Sequence, residues 1–159
     1  MAGPELVIRG GTWLDDQVDV LVSKGRILAC TPYDEKNTYG GARIIDANGL
    51  ALLPSLVDCH THLREPGFEY KEEIATGLEA AAWGGFGAVM TMANTQPVND
   101  TVTVTRLMQT RAKESWPNGP RLHPVGARTK GLEGVELSPM AELAEAGCVA
   151  FSNDGLPVT

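Results

Sequence analysis

Short runs of apolar and β-branched residues, separated by glycine, aspartate and asparagine, make up the first part of the chain. Such runs favour extended backbone, and the residues between them favour turns. They predict four strands, at 6–11, 17–22, 26–30 and 43–47. We interpret residues 1–52 as a small antiparallel β unit, which is marginally stable alone and is expected to pack on a larger body.

The pattern changes at Leu50, where a nearly continuous apolar run extends to Asp58. A run of this kind predicts a strand that is buried on both faces, as in a parallel sheet. Glycine and proline boundaries then predict strands alternating with helices. The predicted strands are 86–92, 121–127 and 148–151, and the predicted helices are 71–83, 101–116 and 138–146.

This alternation predicts an α/β fold with right-handed crossovers over residues 53–159. Four parallel strands fit either an open sheet or half of a (β/α)8 barrel. A complete barrel takes roughly 250 residues, whereas the chain has 159 and ends shortly after the fourth predicted strand. We therefore expect the sequence to be a truncated part of a longer protein.

Composition narrows the function classes. Hydrophobic residues make up 43% and charged residues 21%, which is typical of a globular protein. A net charge of −7 argues against nucleic acid as a partner. No apolar run is long enough to span a bilayer and the N-terminus lacks a signal-peptide pattern, so a cytoplasmic location is expected. The three cysteines have no metal-site spacing and are expected to be reduced core residues.

Candidate chemistry lies at the end of the apolar run. His60 and His62 are two residues apart, a spacing that places both side chains on one face of a strand. Two imidazoles on one face are able to bind one divalent metal ion such as zinc. Asp58 has the same parity and could orient a ligand imidazole. A His-x-His pair is also compatible with a solvated strand end, but barrel enzymes build active sites at the carboxyl ends of their strands.

The motif Asp58-x-His60-x-His62 resembles the first metal-binding motif of the amidohydrolase superfamily. Its extension from Leu63 to Glu72 resembles bacterial dihydroorotases of the hydantoinase-like branch, and so do residues 80–86, 92–97 and 145–155. The resemblance implies a TIM barrel, of which about four βα units are present, preceded by part of a small β-sandwich domain. It also implies zinc-dependent interconversion of N-carbamoyl-L-aspartate and (S)-dihydroorotate in pyrimidine biosynthesis.

The resemblance assigns metal ligands by position. His60 and His62 match the histidines that hold the more buried metal ion, and Asp154 matches a carboxylate that bridges two metal ions. Asp154 precedes Gly155 and could also be only a turn residue. The resemblance implies one or two zinc ions per site.

Substrate contacts are assigned in the same way, to His62, Leu63, Arg64 and Asn94. Arg64 and Asn94 match a pair that grips the carboxylate of dihydroorotate, a role suited to the planar guanidinium fork. Arg64 could instead pair with Glu65, and Asn94 could be a turn residue.

Other parts of the family's site have no counterpart here. Two further histidines and a late aspartate that acts as general acid and base are not matched, so no catalytic residue is assigned and the 159 residues alone are expected to be inactive. The expected partners are the small-molecule substrate and a second copy in a homodimer, with no membrane. Association with aspartate transcarbamoylase is left open.

Two alternatives remain. The first is another cyclic amidohydrolase, an allantoinase or hydantoinase; Arg64 favours dihydroorotase, since allantoinases tend to carry asparagine there. The second is a non-catalytic partner of aspartate transcarbamoylase, against which His60 and His62 argue because such proteins have lost metal histidines. The chain departs from the family pattern at Ser55, Ala93 and Arg128, and none of these departures removes a ligand.

Overall fold

The computed structural model describes residues 3–158 and divides into two compact units. The first unit ends at Pro54 and the second begins at Ser55. Each unit is built on its own four-stranded sheet. Among residues 3–158, no helix has both the length and the apolar character that crossing a membrane requires.

The first unit contains strands β1 (Leu6–Trp13), β2 (Asp16–Ser23), β3 (Arg26–Pro32) and β4 (Arg43–Asp46), in the order β3-β2-β1-β4. Strands β1, β2 and β3 are antiparallel neighbours, whereas β4 runs parallel to β1. The expectation of a wholly antiparallel unit is therefore wrong at β4. The connection from β3 to β4 crosses the sheet instead of forming a hairpin, so β4 runs in the direction of β1.

The second unit alternates strands and helices as predicted. Its elements are β5 (Leu56–Thr61), α1 (Ile74–Trp83), β6 (Phe86–Thr91), α2 (Val102–Ser115), β7 (Arg121–Gly126), α3 (Met140–Glu145) and β8 (Ala150–Phe151). The strands are parallel in the order β5-β6-β7-β8. Neighbours in sequence are thus neighbours in the sheet, which is the arrangement at the start of a βα barrel.

Two helices begin later than predicted because a side chain or turn holds the preceding residues. Before α1, Lys71 closes a turn with Phe68, and the first helical N–H, that of Ile74, donates to Glu65 Oε2 at 2.9 Å. Before α3, the Ser138 hydroxyl donates to the carbonyl oxygen of Ala127. Helix α2 begins where predicted, since Thr101 accepts a hydrogen bond from the N–H of Val104.

The hydrophobic core of the second unit lies between its helices and one face of its sheet. The core is formed by Ile74, Leu78 and Ala81 of α1, by Val104, Met108 and Ala112 of α2, and by Leu63, Val89 and Leu122. Helices α1 and α2 thus cover the face of the sheet that needs burial and leave the carboxyl ends of the strands free for polar residues.

Strand β5 differs from its prediction. It begins at Leu56, not Leu50, after Pro54, which has no N–H to donate to a sheet. Leu56 is 49% and Val57 is 56% exposed, so the expectation of burial on both faces is wrong. The reason is that β5 is an edge strand of this sheet.

The cysteines differ from one another in burial. Cys148 is buried, as expected, whereas Cys30 and Cys59 are exposed, so the core assignment is wrong for these two. All three are free thiols. Burial raises the pKa of the Cys148 thiol, while hydrogen bonds with Thr105 and Asn99 lower it to a smaller extent.

Candidate metal centre

The polar residues singled out in the sequence follow the carboxyl ends of parallel strands. His60 lies in the last part of β5, and His62 comes directly after that strand. Asn94 follows β6, and Asp154 follows β8. Because the carboxyl ends of parallel strands meet at one edge of a sheet, residues distant in sequence are brought to the same edge.

The structure brings three of these side chains together. The potential ligand atoms of His60, His62 and Asp154 all lie within 4.8 Å of one another. His60 Nε2 is 3.2 Å from Asp154 Oδ1, and the two imidazole rings have their centroids 5.1 Å apart. His60 and Asp154 are exposed and His62 is half-buried, so the cluster is accessible from solvent.

The spacing of these atoms fits a divalent metal ion. A tetrahedral zinc ion with bonds of about 2.0–2.1 Å places its ligand atoms roughly 3.4 Å apart. The 3.2 Å between His60 Nε2 and Asp154 Oδ1 is close to that value, whereas the widest pair of the cluster, within 4.8 Å, would have to approach by up to about 1.4 Å on metal binding. Two imidazoles and a carboxylate form a donor set that suits zinc and other first-row divalent ions.

Asn94 joins two members of the cluster. Its Oδ1 lies 2.9 Å from His62 Nδ1, and its Nδ2 donates to Asp154 Oδ2 at 3.0 Å. The side chain therefore bonds across the site and not within its own turn. Asn94 is therefore not only a turn residue, because both of its side-chain hydrogen bonds are to residues of the cluster.

The backbone around Asp154 is held by its buried neighbour. Asn153 is 4% exposed, accepts a hydrogen bond from the N–H of Thr129 and donates to the Thr129 hydroxyl at 2.7 Å. Asp154 has a φ of +55°, a left-handed conformation that aspartate tolerates better than most residues. Asn153 thus anchors the loop in the interior while Asp154 reaches the histidines.

Asp58 acts on the backbone instead of on a ring. Its carboxylate accepts a hydrogen bond from the N–H of His60 at 3.0 Å. We expected Asp58 to orient a ligand imidazole, but in the structure it bonds to the backbone N–H of His60. Asp58 stabilises the strand end from which His60 projects.

The two remaining residues predicted to contact substrate, Leu63 and Arg64, differ in burial. The Leu63 side chain is 5% exposed and belongs to the hydrophobic core, so only its backbone is available to a substrate. Arg64 is half-buried, and among residues 3–158 its guanidinium makes no hydrogen bond or ion pair, including with the cluster. The suggested pair between Arg64 and Glu65 is wrong, because Glu65 faces Arg111 at 3.5 Å.

Sequence reasoning did not identify Glu65 as a support for the site. Its two carboxylate oxygens contact the Arg111 guanidinium and the N–H of Ile74 at the start of α1. It follows directly after Arg64 and so ties the segment after the histidines to two helices. Glu65 lies nine residues before Ile74, beyond the reach of the usual capping pattern, so no local sequence signal pointed to it.

We expect Glu65→Ala to destabilise the chain by about 1–3 kcal/mol, since it leaves the N–H of the fully buried Ile74 without its acceptor and also removes an ion pair with Arg111. Glu114→Ala is the matched control, because Glu114 also contacts Arg111 but is 63% exposed. Its expected cost is below about 0.5 kcal/mol. Urea unfolding followed by circular dichroism measures both, and equal costs would contradict a capping role.

Comparison with known proteins identifies the family of the chain by sequence. Residues 49–159 match the family described as dihydro-orotase-like. The chain is 47% identical over 145 residues to the dihydroorotase of Desulforapulum autotrophicum, covering 91% of the chain and 34% of that protein. It is 45% identical over 161 residues to the dihydroorotase of Geobacter sulfurreducens, covering 97% of the chain and 37% of that protein. The chain thus spans about a third of the length of these curated relatives.

The fold is shared with a solved hydantoinase. The L-hydantoinase (dihydropyrimidinase) of Arthrobacter aurescens superposes with a TM-score of 0.78, covering 94% of the chain and 32% of that protein. The sequences are 21% identical, so this likeness concerns the fold alone. Together with the parallel sheet, it confirms the predicted fold class: the first strand–helix units of a βα barrel and a separate β unit.

Proposed function

The chain belongs to the dihydro-orotase-like family, and from that premise we propose that it carries the metal-binding and substrate-gripping part of a dihydroorotase active site. The proposed reaction interconverts N-carbamoyl-L-aspartate and (S)-dihydroorotate in pyrimidine biosynthesis. One observation carries the proposal: the donor atoms of His60, His62 and Asp154 lie within 4.8 Å of one another at the carboxyl edge of a parallel sheet.

In this proposal, His60, His62 and Asp154 hold zinc, as one ion or as part of a pair of ions. A bound zinc ion would polarise the amide carbonyl and lower the pKa of water that attacks it. The exposure of His60 and Asp154 supports access of a small molecule to this place. Ring opening adds water across the carbon–nitrogen bond of the cyclic amide, and the reverse reaction releases that water.

Arg64 is the proposed anchor for the substrate carboxylate. Within residues 3–158 its guanidinium has no acidic partner, although the chain carries 20 acidic residues. A half-buried guanidinium with this freedom is suited to bidentate binding of a carboxylate. Asn94 completes the proposed contact from the next strand end, and Leu63 contributes through its backbone.

The identity of the relatives favours dihydroorotate over other cyclic amides. The dihydroorotases are 45–47% identical to the chain, whereas the hydantoinase is 21% identical and shares the fold alone. Zinc as the metal, the pyrimidine pathway, a homodimer, association with aspartate transcarbamoylase, a cytoplasmic location and the domain limits 1–52 and 53–159 belong to the same proposal and stay predictions.

A segment exchange tests the proposed function. This chain would replace the aligned segment of the Geobacter sulfurreducens dihydroorotase, and the purified, zinc-loaded chimera would be assayed with dihydroorotate, allantoin and hydantoin. We expect hydrolysis of dihydroorotate. Arg64→Ala should raise its KM about 10- to 100-fold, the value of a lost hydrogen bond to a charged group.

Arg121→Ala is the matched control, because Arg121 is exposed at the opposite end of its strand and should leave KM unchanged. A folded chimera that hydrolyses allantoin or hydantoin but not dihydroorotate would contradict the proposed substrate. A folded chimera without zinc and without activity would contradict the proposed reaction class.

A further inference from the structure

The amide of Asn94 bonds to two candidate ligands at once, His62 and Asp154, and neither contact is part of the substrate-gripping role proposed for it. We propose that Asn94 is a positioning residue of the metal centre. Its Oδ1 fixes His62 as the tautomer protonated at Nδ1, and its Nδ2 holds one oxygen of Asp154. The inference rests on the proposed metal site and not on the proposed substrate.

The orientation of the amide follows from the chemistry of its partners. An ionised carboxylate only accepts hydrogen bonds, so the end of the Asn94 amide that faces Asp154 at 3.0 Å must be the NH₂ group. The other end is then the carbonyl oxygen, which only accepts. The His62 nitrogen 2.9 Å from it must therefore carry the proton. This order of donors and acceptors holds without any prior choice of amide flip or tautomer.

The tautomer decides which ring nitrogen of His62 is available. With Nδ1 protonated, the lone pair lies on Nε2, and this nitrogen is ready to bind a metal ion. A free neutral imidazole side chain in water prefers the opposite tautomer, which places the proton on Nε2. Asn94 thus removes the free-energy cost of changing tautomer before a metal ion binds, and it also limits rotation of the ring.

The second arm of the amide acts on Asp154. Asn94 holds Oδ2, while Oδ1 lies 3.2 Å from His60 Nε2. The carboxylate is therefore oriented with one oxygen committed to Asn94 and the other directed at the histidine. The Asn94 side chain therefore couples the orientation of the His62 ring to the orientation of the Asp154 carboxylate.

The loop that carries Asn94 is well supported. Thr95 is 2% exposed and its hydroxyl donates to the carbonyl oxygen of Pro97 at 2.7 Å. The Gln96 N–H donates to the carbonyl oxygen of Pro66 at 2.8 Å, which joins this loop to the segment that follows the two histidines. The amide is consequently held in place by contacts other than those with its two partners, as positioning of a metal ligand requires.

The test uses the metal-free 159-residue chain labelled with ¹⁵N at its imidazoles, in alkaline solution where the rings are neutral. Long-range ¹H–¹⁵N correlation spectra report the tautomer of each ring, and the His62 signals are identified by their loss in His62→Ala. We expect the Nδ1–H tautomer for His62 in the unsubstituted chain. Asn94→Leu, which cannot accept a hydrogen bond, should convert His62 mainly to the Nε2–H tautomer.

Two further variants separate the proposed role from a general loss of structure. The double variant Asn94→Asp/Asp154→Asn exchanges the two groups: it retains an acceptor for His62 and an amide beside the carboxylate, so it should keep the Nδ1–H tautomer. Asn118→Leu is the control, since Asn118 is exposed in the turn after α2, and it should leave every imidazole signal in place. Zinc titration adds a second readout: Asn94→Leu should bind zinc 10- to 100-fold more weakly than the unsubstituted chain, the usual cost of losing a residue that orients a ligand.

An Nε2–H tautomer for His62 in the unsubstituted chain would overturn the inference. So would an Asn94→Leu variant whose His62 tautomer is unchanged, or an Asn94→Asp/Asp154→Asn double variant that loses the Nδ1–H tautomer. If the unsubstituted chain binds no zinc, the proposed metal site fails, but the tautomer measurement still decides whether Asn94 sets the state of His62.

Discussion

His60→Ala should weaken zinc binding by the 159-residue chain at least ~100-fold, because loss of a residue that only orients a ligand already costs 10- to 100-fold. The variant removes one of the three donors that lie within 4.8 Å of one another. Asp154→Asn should have a similar effect, since the amide is a poorer metal ligand and loses the negative charge. Competition with a chromophoric zinc chelator measures the dissociation constants.

The third histidine provides the control for this experiment. His123 lies in the middle of β7, paired with Met90, and is not a member of the cluster. His123→Ala should leave the zinc dissociation constant within about twofold of that of the unsubstituted chain. Equal losses in His60→Ala and His123→Ala would show that zinc binds elsewhere.

Gly67→Ala should destabilise the second unit by about 2–4 kcal/mol, from strained backbone together with overpacking. Gly67 has a φ of +95°, and a Cβ at this position would lie 2.1 Å from the backbone oxygen of Gln96. A backbone atom cannot move away as a flexible side chain does. The segment after the histidines would then separate from the loop that carries Asn94, so zinc binding should weaken as well.

Gly85→Ala is the control that separates the cost of a strained backbone from the cost of a steric clash with Gln96. Gly85 has a φ of +79°, but a Cβ there would meet nothing within 4 Å. Its expected cost is about 1 kcal/mol, from the backbone alone. Thermal and urea unfolding of both variants measure the difference, and equal costs would mean that the contact between Gly67 and Gln96 does not contribute.

Local signals in the sequence predicted the alternation of the second unit correctly. Thr101 begins α2, and Pro117 follows its end, because capping and the lack of a proline N–H act within a few residues. The limits of α1 and α3 shifted where distant groups intervened. Glu65 holds the start of α1, and no local pattern indicates that contact.

The sequence-based predictions were wrong where burial or strand direction depended on the neighbouring strand. Leu56 and Val57 belong to an apolar run, yet they are exposed because β5 lies at the edge of its sheet. Strand β4 has the composition of its antiparallel neighbours, but it runs parallel to β1. A sequence pattern states that a segment is extended and apolar, but not which strand lies beside it.

The sequence by itself determined the class of fold and the chemical groups of the site. The two-residue spacing of His60 and His62 places both imidazoles at the end of one strand, and this is a property of extended backbone. Only the tertiary structure decided their partners. Asp154 and Asn94 reach the histidines because parallel strands bring their carboxyl ends to one edge, and that pairing depends on contacts between residues far apart in the chain.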